Sequence, residues 1–458
     1  MKNLSFDAII IGSGQAGTPL VFKMAGLGKK VAFIEKEHFG GTCLNVGCTP
    51  TKAYVASARR MFDARHGEAL GIHIPEGAKA DLKKIKQRKD HIIAPSVKGI
   101  THAAMDHKNI RVFEGEAHFS GPKTVEVNGQ SLEAEQIFIN VGTRARIPEG
   151  FEEVNYLTNE GMLQLEEIPQ HLIIVGGSYI GLEFGQIFRR FGSEVTIIEM
   201  GDRLISREDE AVSVAVKNIL ESEGIHIRLN ARCLHGQQDK PGNIRVKVDC
   251  QTAPTEISGT HLLLATGRIP NTDTLQLEST GIRTHERGYI EVNDYLETNI
   301  SGVYALGDCN GKGAFTHTAY NDYEIVAANL FEGGNRKVSD RILTYALFID
   351  PPLGRAGMTI KEVKAKGIKA LYGYRDMSRI ARAREKGETQ GFMSIIVEEA
   401  SGKILGAAVL GIGGDEIISS ILNVMYTKQA YTVIRDSVQA HPTVSELIPT
   451  MLEGLKPL

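Results

Sequence analysis

The chain has 458 residues, 42% of them hydrophobic and 23% charged, which gives room for about three domains with substantial cores. A formal charge of −3 supplies no basic surface for nucleic acid. No stretch approaches the roughly 20 apolar residues that a membrane-spanning helix needs, and Asp7 with the glycine turn behind it interrupts any signal-peptide core after Lys2, so cytoplasmic residence is the expectation.

The first element is an apolar strand, FDAIIIGSGQAG, ending near Ile11 and running into Gly12, Gly14 and Gly17. These glycines permit a tight turn, close approach to a pyrophosphate and close packing of the helix that follows. A second apolar run, VAFIE, ends on Glu35, placed to accept both hydroxyls of an adenosine ribose. Strand, turn, helix and acidic strand end together predict a dinucleotide site.

Directly after it comes GGTCLNVGCTPTK, with Cys43 and Cys48. A regular helix separates positions i and i+5 by about 7.5 Å along its axis. A disulfide needs its Cα atoms within about 6.8 Å, so a bonded pair here requires a distorted backbone or a start outside the helix. Gly47 is expected to supply the conformational freedom. The next segment, KAYVASARRMF, reads as a helix in which Ala53, Ala56 and Ala58 allow close packing. Its amino end and Lys52 favour a thiolate, so low thiol pKa values are expected. A disulfide beside a redox cofactor can pass two electrons; two structural cysteines are the competing reading. Zinc is disfavoured because no second matching pair lies nearby, and no metal site is expected. Cys233, Cys250 and Cys309 read as small buried residues rather than a secreted framework.

Residues 68–107 carry polar helical patterns, in which DLKKIKQRKDH reads as a wet helix face, and NIRVFEGEAHFSG, KTVEVNG and EQIFINVG read as short strands. A second dinucleotide unit follows in HLIIVGGSYIGLEFGQIFRRFGSEVTIIEM, with Gly176, Ser178 and Gly181 ahead of Glu199. Gly12 to Glu35 and Gly176 to Glu199 share one offset, which argues for two related folds. Ser178 stands at the middle glycine position and calls for a local backbone adjustment beside Gly177. Glu199 repels a 2'-phosphate and attracts free ribose hydroxyls, favouring NADH over NADPH. Arg203 or Arg207 would pair with a 2'-phosphate if the loop folds back toward it, solvated surface arginines being the commoner arrangement.

Short strands recur over residues 225–265, and Gly142 in NVGTRARIP and Gly267 in ATGRIPN mark two equivalent exits from nucleotide-binding strands. GVYALGDCNG ends in a turn carrying Asp308, a carboxylate suited to a ribityl hydroxyl or a turn amide. AFTHTAYNDYEIVAANLF reads as a helix with His317 at its entrance, facing either a cofactor or local packing. In the tail, GRAGMTIKEVKAKG reads as a strand turning into a helix, GFMSIIVEE and KILGAAVLG as paired strands, and GGDEIISSILNVMYTKQA as a long helix. HPTVSELIPTMLEGL places His441 before a proline turn and Glu446 just beyond. A glutamate can accept one imidazole N–H while the other nitrogen exchanges a proton with a thiol; a packing histidine is the alternative.

GGTCLNVGCTPTK and AHPTVSE, together with the repeated glycine turns, strongly resemble the class I pyridine nucleotide-disulfide oxidoreductases, among them dihydrolipoamide dehydrogenase, glutathione reductase and mercuric reductase. The resemblance covers essentially the whole chain. It implies an α/β fold of two Rossmann-like three-layer nucleotide-binding domains plus a C-terminal α+β dimerisation domain. The expected boundaries are 1–145 for the first part of an FAD-binding domain, 146–267 for an NAD(P)-binding domain, 268–338 for the return to the FAD and central domain, and 339–458 for dimerisation. By the same resemblance, Cys43 is the interchange thiol that attacks substrate and Cys48 the thiol adjoining FAD. Lys52 lies near the flavin with Glu183 as its acidic partner, and Tyr179 resembles an aromatic gate that shifts when nicotinamide binds. Asp308 faces the flavin. His441 and Glu446 form the acid/base pair contributed across a homodimer, so that the active site is shared between chains.

The activity this implies is electron transfer from NAD(P)H through FAD and the Cys43/Cys48 disulfide to a small-molecule or protein disulfide, or another thiol-reactive electrophile. Two variants compete with it. One is a dihydrolipoamide dehydrogenase forming NADH, although Tyr179 stands where a small aliphatic residue is usual there. The other is a mercuric-reductase-like reductase of a metal ion or reactive oxidant, although the segment MLEGLKPL carries no cysteine pair for mercury handoff. A flavoprotein without thiol chemistry is a third, remote reading.

Overall fold

The structure, a computed structural model, describes residues 3–74, 77–249 and 256–458; Cys250 and the side chain of Cys233 lie outside what is described. The chain forms two compact units. The first comprises residues 1–53, 86–146 and 267–341, the second 54–85, 147–266 and 342–458.

At the centre of the first unit is a parallel sheet in the order Ile110–Glu114, Val31–Glu35, Leu4–Ile11, Gln130–Ile139, Val303–Ala305. The apolar run of Leu4–Ile11 follows from burial on both faces. Ile9 and Ile11 enter one core, while Ala8 and Ile10 enter another, as a period of two requires. One face is covered by the helices Gly17–Gly26 and Thr316–Phe331, through Leu20, Val21, Ile325 and Val326. The other is covered by an antiparallel extension, Ala117–Gly121 and Thr124–Val127, joined to Gln130–Ile139. Sheet sandwiched between two layers is the architecture expected.

Within the second unit lies a parallel sheet of the same kind, in the order His226–Arg228, Glu194–Ile198, His171–Val175, His261–Leu264, Tyr156–Leu157. Leu172 and Ile174 face the helical layer, and Ile173 and Val175 face a three-stranded antiparallel sheet through Ile244, Val246 and Val248. The tail adds a six-stranded antiparallel sheet, with the paired strands Phe392–Glu398 and Ile404–Leu410 at its middle and the helix Gly414–Thr427 against them. Two expectations are corrected here. Ala53 and Ala58 are buried but Ala56 is exposed, and Lys89 does not belong to a solvated helix face: its stem is buried and its ammonium meets Asp90 at 2.8 Å.

Two buried ion clusters tie the elements of the second unit. Arg190 bonds Glu223 at 2.7 Å and Asp350 at 2.5 Å. Arg59 reaches Asp350 and Glu388, each at 2.9 Å. Separately, the fully buried Arg355 pairs with the fully buried Glu208 and with Asp209, and Tyr345 donates its hydroxyl to the same Glu208. Removing one member strands a charge in a low-dielectric interior, which is costlier than never having built the pair. Arg355→Met therefore leaves Glu208 uncompensated and is expected to cost about 3 kcal/mol of stability, read as a lower urea midpoint for loss of the second unit's secondary structure. An unchanged midpoint contradicts this.

Candidate active site

The cysteine segment is two helices with a break between them. Gly40 and Gly41, at φ +93° and +62°, turn the chain into the short helix Gly41–Asn45. Val46 and Gly47 interrupt it, and a 19-residue helix starts at Cys48. The break replaces the regular i to i+5 spacing, as the disulfide distance limit demanded. The role of Gly47 differs from expectation: its backbone is not left-handed. A Cβ there would lie 2.8 Å from the Thr42 carbonyl oxygen and 3.1 Å from Cys43 Cα. Gly47 is needed for space, and the unusual dihedrals fall at Gly40 and Gly41.

Cys43 and Cys48 are present as thiols and share a hydrogen bond. The expected low thiol pKa is corrected for Cys43, whose proton is held well above the ordinary thiol range. The sharing of that proton with Cys48 is the largest cause and burial the next. The expected helix-end effect is present but smaller: the Cys48 backbone N–H and the Thr316 hydroxyl both hydrogen-bond the Cys43 sulfur and pull its pKa down. Such a pair loses its protons in two steps that belong to the pair. Thr316 Oγ1 also lies 3.1 Å from Cys48 Sγ. Sequence reading missed Thr316, which stands 268 residues from Cys48.

The first glycine turn fits a dinucleotide. A Cβ on Gly12 would lie 2.3 Å from the Asn140 carbonyl oxygen, one on Gly17 2.1 Å from the Gly12 carbonyl oxygen, and one on Gly14 3.0 Å from Asn140 Nδ2. Glu35 is fixed at its strand end by Ser13, whose N–H donates at 2.9 Å and hydroxyl at 2.5 Å, and by the Glu37 N–H at 2.9 Å. The second turn repeats this pattern. A Cβ on Gly176 would lie 2.3 Å from the Ala265 carbonyl oxygen and one on Gly181 2.1 Å from that of Gly176. Glu199 accepts from the Gly177 and Gly201 N–H groups, both at 2.7 Å. Gly177 has no room for a serine like Ser13, since its Cβ would meet Leu204 at 2.6 Å and Glu199 at 3.0 Å. Ser178 is accommodated by extended backbone and stays exposed at the head of the helix Tyr179–Phe191. Arg203 folds onto its own loop, donating to the Ser206 carbonyl at 3.2 Å, and Arg207 is exposed.

Gly142 and Gly267 both have positive φ and open two short strands, Thr143–Ala145 and Arg268–Pro270, that pair antiparallel within the first unit. There Arg268 donates to Thr143 Oγ1 at 2.7 Å, and that hydroxyl donates to Asp308 at 3.1 Å. Burial pushes the Asp308 carboxyl above the usual carboxylate range. The turn carrying it is held by Asp322, another residue the sequence did not reveal, which accepts from the Gly307 N–H at 2.8 Å and Asn310 Nδ2 at 2.9 Å. His317 is exposed and stacks on Phe315. Lys52 lies half-buried just past the first turn of the Cys48–His66 helix. Glu183, buried on the Tyr179–Phe191 helix, accepts from the Phe348 N–H at 3.0 Å. Tyr179 packs edge-on against Tyr345, with ring centroids 5.5 Å apart, and burial pushes its phenol up to about 12. His441 is exposed, with Nδ1 2.8 Å from the largely buried Glu446 carboxylate.

The family profile described as pyridine nucleotide-disulphide oxidoreductase matches residues 6–322, and that of the same family's dimerisation domain matches residues 343–452. The chain belongs to the pyridine nucleotide-disulfide oxidoreductase family. It is 33% identical to the probable pyridine nucleotide-disulfide oxidoreductase RclA of Escherichia coli, covering 98% of this chain and 99% of that one. It is 32% identical to a mercuric reductase of Staphylococcus aureus, covering 92% of this chain and 77% of the relative. The solved Cu(II) complex of the HOCl-induced flavoprotein disulfide reductase RclA from Escherichia coli superposes with a TM-score of 0.88 at 32% identity, over 97% and 99% of the two chains. As a member of this oxidoreductase family, the chain is an FAD- and NAD(P)H-dependent enzyme and carries the family's dimerisation domain. Among the described residues, no helix is long and apolar enough to cross a membrane.

Because the shared proton is the largest cause of the raised Cys43 pKa, Cys48→Ala is expected to lower the pH of half-maximal Cys43 alkylation by about one unit or more relative to the reduced native pair. An unmoved midpoint would show that burial alone sets it.

Proposed function

We propose that this enzyme passes electrons from NADH to a small thiol-reactive acceptor through the Cys43–Cys48 disulfide. The observation that carries this reading is the juxtaposition of the two sulfurs at a helix break directly behind a dinucleotide turn. Residues 1–145 with 268–338 are assigned to FAD, 146–267 to the nicotinamide dinucleotide and 339–458 to dimerisation.

FAD, when bound, supplies hydride acceptance from the nicotinamide and two-electron reduction of the disulfide. For it, the turn Gly12–Gly14–Gly17 would hold the pyrophosphate, Glu35 the adenosine ribose and Asp308 the ribityl chain, with Gly142 and Gly267 giving backbone access and Lys52 a positive charge for the ring. Gly176, Gly181 and Glu199 would hold NADH, with Tyr179 as the gate over its nicotinamide. The doubly anchored Glu199 carboxylate and the engagement of Arg203 with its own loop support NADH over NADPH. Cys48 is assigned the sulfur next to the flavin and Cys43 the attacking one. A Cys43 thiol held above its ordinary pKa needs a base. His441, its Nδ1 fixed by Glu446 and its ring exposed, supplies one from the second chain of a homodimer, so that each active site is shared. The expected location is the cytoplasm.

A thiophilic metal ion or a reactive oxidant is preferred over dihydrolipoamide as the substrate class because Tyr179 stands where dihydrolipoamide dehydrogenases usually carry a small aliphatic residue and because two relatives are a reductase solved with Cu(II) and a mercuric reductase, although dihydrolipoyl dehydrogenases are also among the relatives. A panel of lipoamide, glutathione disulfide, Cu(II), Hg(II) and hypochlorous acid with each pyridine nucleotide separates the branches, and dominant dihydrolipoamide-dependent NADH formation would overturn the preference. The kcat/KM for NADH is expected to exceed that for NADPH by about tenfold, the equivalent of about 1.4 kcal/mol. Cys43→Ser is expected to abolish turnover with disulfides while NADH still bleaches the flavin absorbance; loss of both contradicts the assigned division of roles.

A further inference from the structure

The Thr316 hydroxyl meets an active-site sulfur: its Oγ1 is 3.1 Å from Cys48 Sγ. Thr316 is the first residue of a 16-residue helix and Cys48 the first of a 19-residue helix, so the amino ends of two long helices meet at this contact. Each end carries partial positive charge.

A threonine has one hydroxyl proton to donate, and a bond donated to an ionised acceptor is roughly twice as strong as one to a neutral acceptor. That donor therefore binds Cys48 most strongly when the sulfur is ionised. We propose that Thr316 is a catalytic residue, the hydrogen-bond donor that stabilises the Cys48 thiolate left when the disulfide opens. This rests on the reading of these two cysteines as the redox pair.

The balance of the step is simple. Two electrons from the pyridine nucleotide, delivered by the family's established chemistry, break the S–S bond. One proton taken up at Cys43 leaves a thiol there and a thiolate at Cys48, toward which the Thr316 O–H points. When the Cys43 proton passes to a base, the thiolate that attacks an acceptor is at Cys43, while the Cys48 thiolate keeps its charge and the Thr316 O–H. Thr316 transfers no proton and keeps its own throughout. Without the hydroxyl the Cys48 thiolate loses a donor, while the disulfide, which carries no charge, loses almost nothing.

The test compares Thr316→Val, which keeps the shape and removes the donor, with Thr316→Ser, which keeps the donor. The readout is the pH midpoint at which NADH-reduced holoenzyme develops the long-wavelength absorbance of a thiolate beside oxidised flavin. Thr316→Val is expected to raise that midpoint by about one unit, the size of one lost hydrogen bond to a charged group, and Thr316→Ser to restore it to within about 0.3 unit of the native enzyme. If the valine variant does not retain its flavin, Thr316→Ala, which adds no new bulk, carries the same comparison. A midpoint unmoved in the variants lacking the hydroxyl, or moved as far by serine as by valine, overturns the proposal. Native enzyme with no such absorbance at any pH removes the redox-pair reading itself, a failure distinguishable from that of Thr316.

Discussion

Two sulfurs five residues apart can meet only where the helix between them stops, and that interruption depends on an absent atom. A Cβ at position 47 would press into the Thr42 carbonyl and the Cys43 Cα, so an alanine there would push the Gly41–Asn45 helix away from the helix that begins at Cys48. The break does more than shorten a distance. It makes Cys48 a helix-initiating residue, with its own N–H directed at Cys43 and its sulfur against Thr316. Gly41 completes the arrangement from the other side, since its Cβ would lie 2.9 Å from Gly14 Cα. The cysteine segment is thus packed backbone to backbone against the first glycine turn.

The two dinucleotide units show how one solution is reused and then specialised. In both, the first and last glycines of the turn are excluded from carrying a side chain by backbone contacts of nearly identical length, and in both a strand-terminal glutamate is fixed by main-chain N–H groups. They diverge at the residue after the first glycine. Ser13 contributes a hydroxyl to Glu35, whereas Gly177 leaves that space to Leu204 and the Glu199 carboxylate. The middle position diverges too, with Gly14 facing Asn140 and Ser178 facing solvent.

What the sequence made legible was local. The strands, the glycine turns, Glu35, Glu199 and the His441–Glu446 bond all follow from spacing within a few tens of residues, because periodicity and turn chemistry are written at that range. What stayed hidden was made by chain return. Thr316 comes to Cys48, Asp322 to the Gly307 turn, and Arg355 and Tyr345 to Glu208, and no local pattern encodes those meetings. The same reason explains the error over Cys43: its helix-end environment can be read from the sequence, but the competing proton sharing with Cys48 exists only once the two sulfurs face each other. Gly47 was singled out correctly for the wrong physical cause, since a glycine chosen for space and one chosen for dihedral freedom are the same letter.

The most direct measurement is peptide mapping of the purified, oxidised enzyme after alkylation under denaturing conditions, with and without one equivalent of NADH. The account predicts a Cys43–Cys48 disulfide that resists alkylation in the oxidised enzyme and becomes two alkylated thiols after NADH addition, with Cys309 unchanged between the samples. Cys43 and Cys48 both alkylated before any reductant is added, or still bonded after NADH, would contradict it.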